Sequence, residues 1–177
     1  MLKILRKACR AQSGMAAVEF AMVLPAMLAL VFGSIEVTNA LVCKGDVTST
    51  ASTAGDLIAQ GTKVTDADLN NVYASLAALL YPYPTGSTQV RITSIIDDGQ
   101  GGAKVAWSKA QNTTPYSTGQ SMTVPAGLIQ SGGSVIYAEI TYPYTSPFTY
   151  IIHSPITMTN TYYAHPRRVA QIPYSPN

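Results

Sequence analysis

Residues 20–35 read FAMVLPAMLALVFGSI, sixteen positions without a charge. As an α-helix such a run rises about 24 Å, and with residues 15–19 added about 31 Å, close to the ~30 Å hydrocarbon core of a bilayer. The chain is therefore predicted to commit one helix to a membrane, and everything else must fold around that commitment. The preceding residues 1–14, MLKILRKACRAQSG, hold Lys3, Arg6, Lys7 and Arg10 and no acid. By the positive-inside rule this basic flank stays cytoplasmic and the C-terminal bulk is exported.

Two fates are open to such a segment. A cleaved secretory signal needs small residues at −3 and −1 after the apolar core. Thr38 and Ala40 of Val37-Thr38-Asn39-Ala40 supply them, beyond Glu36, and a cut there would start the mature chain at Leu41. The other fate keeps the helix. It is suggested by Glu19, an isolated acid at the mouth of the apolar run, where a carboxylate costs about 2.5–3.5 kcal/mol at mid-membrane and less near the interface. A cut after Gly14 would create an α-amine on Met15. That amine could pair with Glu19 of the same or a neighbouring subunit and offset the desolvation. In the plainer reading Glu19 snorkels to the headgroups.

The stretch GMAAVEFAMVLPAMLALVFGSIE resembles the N-terminus of the TadE-like proteins, minor pseudopilins of the tight-adherence (Tad, type IVc) pilus system. Gly14 stands before the cut, Glu19 at mature position five with Phe20 beside it, Leu24-Pro25 inside the apolar run and Glu36 at its end. The specific likeness covers residues 10–45. It implies that a membrane aspartyl prepilin peptidase cuts between Gly14 and Met15, ahead of the helix, so the helix is retained. It implies assembly roles for Glu19 and Phe20. The partners it implies are the inner membrane, the peptidase, other pseudopilins and the major pilin. The implied topology is single-pass, with the N-terminus cytoplasmic and the C-terminal domain periplasmic; whether the protein enters the pilus stays open. The expected organisation is a leader at 1–14, a transmembrane and assembly helix at 15–60, and an extracytoplasmic α+β domain at 61–177.

Helical spacing continues past the membrane through Val37, Leu41, Val47, Ala51, Ala54 and Ile58. This predicts one helix over residues 16–58, kinked at Pro25 and fraying near Gly45. Thr65-Asp66-Ala67-Asp68 reads as a capping box with Asp in the place of Glu. Leu69, Val72, Tyr73, Leu76, Leu79 and Leu80 follow on one face of a second helix that ends before Pro82. Beyond it the period changes to two. Strands are predicted at 88–96 and 103–110 around the turn 97–102, then at 134–142 with Ile136, Ala138 and Ile140 on one face, with one or two more from 148–152 and 156–164. A polar loop covers 111–121, and Pro143, Pro147, Pro155 and Pro166 are expected to bound strands. The fold class is α+β: a long N-terminal helix, a shorter second helix and a small antiparallel sheet.

A net charge of +2 gives no basic surface for nucleic acid. Charged residues are 11% of the chain, consistent with a membrane segment plus a Ser/Thr/Tyr-rich surface. Cleavage after Gly14 would remove Cys9 and leave Cys43, either a small buried hydrophobe or an interchain partner. His153 and His165 have no partner at metal-ligand spacing, so no metal or cofactor is expected. The run Asp97-Asp98-Gly99-Gln100-Gly101 offers carboxylates to calcium but suits a solvated turn better. No enzyme signature appears; a periplasmic hydrolase would need an acid, base and nucleophile the sequence does not bring together. The expected function is structural, with a tethered or pilus-displayed adhesin as the alternative.

Overall fold

The computed structural model describes residues 12–147 and 154–176, with side chains from residue 14 onward. The basic residues of the leader, Cys9, the strand expected at 148–152 and His153 lie outside the described residues. The fold is α+β: helix α1 (Gln12–Ala59), helix α2 (Asp66–Leu79) and strands β1 (Gln89–Asp97), β2 (Ala103–Gln111), β3 (Ser121–Met122), β4 (Ser134–Tyr144) and β5 (Ile156–Ala164). The strands form one antiparallel sheet in the order β3-β2-β1-β4-β5.

Helix α1 is continuous through Pro25 and Gly45. The fraying expected at Gly45 is absent, because the helix is already braced against the domain there, with Cys43 and Val47 both buried. The buried stripe also begins elsewhere than spacing suggested. Val37 and Leu41 are exposed, whereas Glu36, Cys43, Val47, Thr50, Ala51, Ala54 and Ile58 face inward. Apart from the adjacent pair Thr50-Ala51, these positions recur at three, four or seven residues, the spacing of one helical face.

The stripe packs over β4 and β5 on one face of the sheet, in a core shared with Val90, Ile92, Trp107, Ile136, Ala138, Ile140, Tyr142, Tyr144 and Met158. Small residues let α1 come close to β5. A Cβ at Gly55 would stand 2.9 Å from Cδ1 of Tyr162 and 3.4 Å from Cβ of Ala164. Helix α2 starts with the expected reciprocal cap: Thr65 Oγ1 accepts from Asp68 N–H at 3.2 Å, and Asp68 Oδ2 accepts from Thr65 N–H at 2.9 Å. Leu69, Val72, Leu76 and Leu80 fill the core, while Leu79, expected on the same face, is exposed. The last turn of α2 thus presents Leu76 and Leu80 inward, and Leu79 points away between them.

In β2, Val105 lies opposite Ile95 and Trp107 opposite Ser94, so Ala106 is an extra residue and forms a bulge. Trp107 turns to the core, where its Nε1–H donates to the Ile172 carbonyl at 2.7 Å. This fixes the C-terminal tail, which also pairs with Val64 through Pro173 and Ser175. Pro143 lies inside β4 rather than at its end, opposite Thr157 of β5. It is tolerated because β1 accompanies β4 only as far as Thr141, so the missing N–H faces no neighbouring strand. Within the loop after β2, the short β3 was not foreseen. It and the following segment carry Met122, Val124, Leu128 and Ile129 over Ile95, Ala103 and Val135 as a second apolar cluster on the far face.

Candidate functional site

The sequence-predicted site residues Gly14, Met15, Glu19, Phe20 and Pro25 all lie on α1, in its first four turns or just beyond. From residue 14 to 35 the large apolar side chains of this helix stand exposed: Met15, Val18, Phe20, Met22, Val23, Leu24, Met27, Leu28, Leu30, Val31, Phe32 and Ile35. Burying a single large apolar side chain is worth roughly 1.5–3 kcal/mol, so a bare rod of this kind needs a bilayer or other helices around it. The helix is long and apolar enough to cross a membrane, with a mean hydropathy of 2.2 over its most apolar window. Its polar atoms are concealed accordingly. Ser34 Oγ donates to the Leu30 carbonyl at 2.7 Å and Thr38 Oγ1 to the Ser34 carbonyl at 2.8 Å. Met15 and Glu19 are four residues apart, hence on one side of the helix.

The bare rod meets the domain at Glu36, which is fully buried. Ser146 Oγ donates to Glu36 Oε1 at 2.6 Å, while Oε2 is buried without a hydrogen-bond partner. Two turns on, Cys43 is buried, and its thiol is pushed up to about 11 by desolvation first and the Asp46 carboxylate second. Tyr83 packs beside Tyr142 and Tyr144, with ring centroids 6.1 and 6.2 Å away. Its hydroxyl points to the Asn39 carbonyl at 3.4 Å. Glu36, Cys43, Tyr83, Tyr142, Tyr144 and Ser146 thus form a seat that clamps α1 as it leaves the domain. Further up, Arg167 secures the helix end: its N–H donates to the Ala59 carbonyl at 3.0 Å and its guanidinium meets Asp56 at 3.2 Å.

Sequence reasoning missed Glu36 as a seat residue. The signal was its place seven residues before Cys43, in phase with Val47, Ala54 and Ile58. The turn considered for calcium spends its carboxylates on backbone. Asp98 Oδ1 accepts from Gln100 and Gly102 N–H at 2.7 and 2.8 Å, which holds its carboxyl below the usual range. Asp97 accepts from Gly99 and Gly132. His165 is exposed beside Pro166 at the end of β5.

No curated protein and no solved structure gave a significant match to the chain. Residues 14–56, the stretch of α1 that holds the bare rod together with Glu36 and Cys43 of its seat, match the model of the TadE-like protein family, so this helix is similar to the corresponding segment of TadE-like proteins.

Proposed function

We propose that the protein is a non-catalytic minor pilin, or pseudopilin, of a Tad pilus machine. A prepilin peptidase cuts it between Gly14 and Met15, residues 15–35 span the inner membrane, and the domain stands in the periplasm. The observation that carries this reading is the continuity of α1: one helix is bare over its first half and part of the domain core over its second. A helix so embedded is not a disposable signal. Thr38 and Ala40 sit within helical turns between Glu36 and Cys43, where a signal peptidase would need extended chain. Cleavage after Gly14, in the first turn of α1, leaves both rod and seat intact, with the new α-amine of Met15 one turn from Glu19.

The test is N-terminal sequencing and intact mass of the membrane-extracted protein. A mature start at Met15 is expected; a start at Leu41 would refute the retained helix. An adhesin remains the second reading because of the sheet face turned away from α1. There Tyr137 and Tyr163 lie 4.9 Å apart and Thr141 bonds Thr159 at 3.0 Å, a polar aromatic surface suited to sugars. Fractionation separates the two: an assembly subunit stays in the inner membrane, an adhesin appears on shed filaments.

A further inference from the structure

Strand β5 pairs with β4 along nine residues, and among the described residues no backbone is bonded to its other side. Its sequence ITMTNTYYA carries no charge and no proline, and its register with β4 runs without a bulge. Natural sheets normally blunt such an edge with lysine, proline, a bulge or a covering loop. The opposite edge is only partly covered. There β3 pairs with Ala103 and Lys104, and the loop bonds Val105 through Gly119 and Gln120. Past Val105, β2 is open as far as Gln111 among the described residues.

The direction of α1 decides what can lie on β5. The two run in the same sense: Thr48 meets Asn160, Gly55 meets Tyr162 and Ala164, and Ala59 meets Arg167. Copies anchored in one membrane hold their α1 helices in a common direction, a constraint that rests on the membrane reading above. Antiparallel pairing of β5 with a second β5 uses a two-fold axis normal to the sheet, which would point the second α1 the opposite way. A two-fold along the strands puts same-numbered residues on opposite faces and does not continue the ladder. Both symmetric pairings are therefore closed. β2, in contrast, is three antiparallel steps from β5 and so runs opposite to it. A copy displaced sideways without inversion brings its β2 antiparallel against β5. We propose that β5 is the docking edge for the open part of β2 in a second copy of this chain, in the same membrane orientation. The contact is head-to-tail, so it repeats rather than closing as a dimer.

Thr161 and Ser108 lie on the same sheet face, away from α1, and so can report this contact. Full-length chain bearing Thr161→Cys and a differently tagged full-length chain bearing Ser108→Cys are reconstituted together in lipid vesicles and treated with a short bismaleimide. Both chains also carry Cys9→Ser, because the leader thiol would react, while Cys43 is buried and does not compete. Crosslinking of position 161 to position 108 is expected to exceed crosslinking of 161 to 161 by about tenfold, as a heterologous contact requires. Adding Thr157→Lys on the edge should reduce the product several-fold. If the chain resists carbonate extraction yet 161–161 products dominate, or no copy-to-copy product rises above that of detergent-dispersed chain, the pairing is wrong and the anchoring stands. If carbonate releases the chain, the anchoring fails, and the orientation argument with it.

Discussion

At position 36 a carboxylate sits wholly inside the protein, with Ser146 on one oxygen and nothing on the other. An orphaned buried oxygen is costly, so its place here is explained by location: it ties the chain after β4 to the point where α1 leaves the domain. Glu36→Ala should lower stability by about 2 kcal/mol, through the lost bond and the space left behind. Glu36→Gln keeps an acceptor for Ser146 and should lose distinctly less. Denaturant unfolding of the detergent-solubilised chain reads both, and equal losses would show that the Ser146 bond contributes nothing. Two tyrosines carry a pH signature. Burial first, and the carboxylates of Asp66 and Glu139 second, push Tyr73 and Tyr137 from 10.0 up to about 12. The folded state therefore holds these protons more tightly than the unfolded state. Their contribution is intact below pH 10 and is lost as pH rises through about 12. Stability measured across that window should fall with pH, and phenolate absorbance should show at least these two rings titrating late. A flat profile with all tyrosines ionising near pH 10 would contradict this.

Helix α2 shows what local chemistry can specify. Its start is written in four residues, Thr65 to Asp68, and the reciprocal bonds form as those residues require. Thr65→Ala should cost about 1 kcal/mol by leaving the Asp68 N–H without its cap. A loss below a few tenths in thermal unfolding would mean that water replaces the cap. Elements fixed by such local signals were legible: the α2 start, the turn at 97–102, the alternation of β4. Elements fixed by distant neighbours were not. Val37 and Leu41 looked like core because they are apolar, but they lie off the face that Cys43, Val47 and Ala54 turn to the sheet. Pro143 looked like a strand end because proline cannot donate, yet the early end of β1 leaves no partner to donate to. The bulge at Ala106 and the brief β3 depend on how the loop at 112–133 folds back, which no short window encodes. Glu36 was legible as an acid at the end of an apolar run, but not as a buried one, because Ser146 lies 110 residues away.

For the molecule as a whole, α1 belongs to two bodies at once, and the boundary between them is sharp. Before Glu36 its side chains meet no core; from Glu36 onward they are the core's central stripe. Cutting on either side of that boundary should therefore have opposite consequences. A chain begun at Ile35 keeps Glu36, Cys43, Val47, Ala51, Ala54 and Ile58, and sheds most of the exposed apolar surface. It should be soluble, fold cooperatively and retain the sheet and helix signals of the domain. A chain begun at Gly61 keeps every strand but loses the stripe. Removing Val47 and Ile58 alone forfeits roughly 3–6 kcal/mol of burial. That is comparable with the 5–15 kcal/mol by which a whole domain is usually stable. It would also uncover Ile136, Ala138, Ile140 and Met158 on the sheet, so it should aggregate or remain unfolded. Circular dichroism and size-exclusion chromatography of the two chains distinguish these outcomes. If the shorter chain folded as well as the longer one, α1 would be a detachable tether, and the rigid coupling of apolar rod to folded domain would be wrong. If neither folded, the exposed apolar half of α1 would have to contribute to the domain's stability although none of its large side chains is buried in the core. The seat around Glu36 argues against that, because it fastens the helix on the domain's side of the boundary.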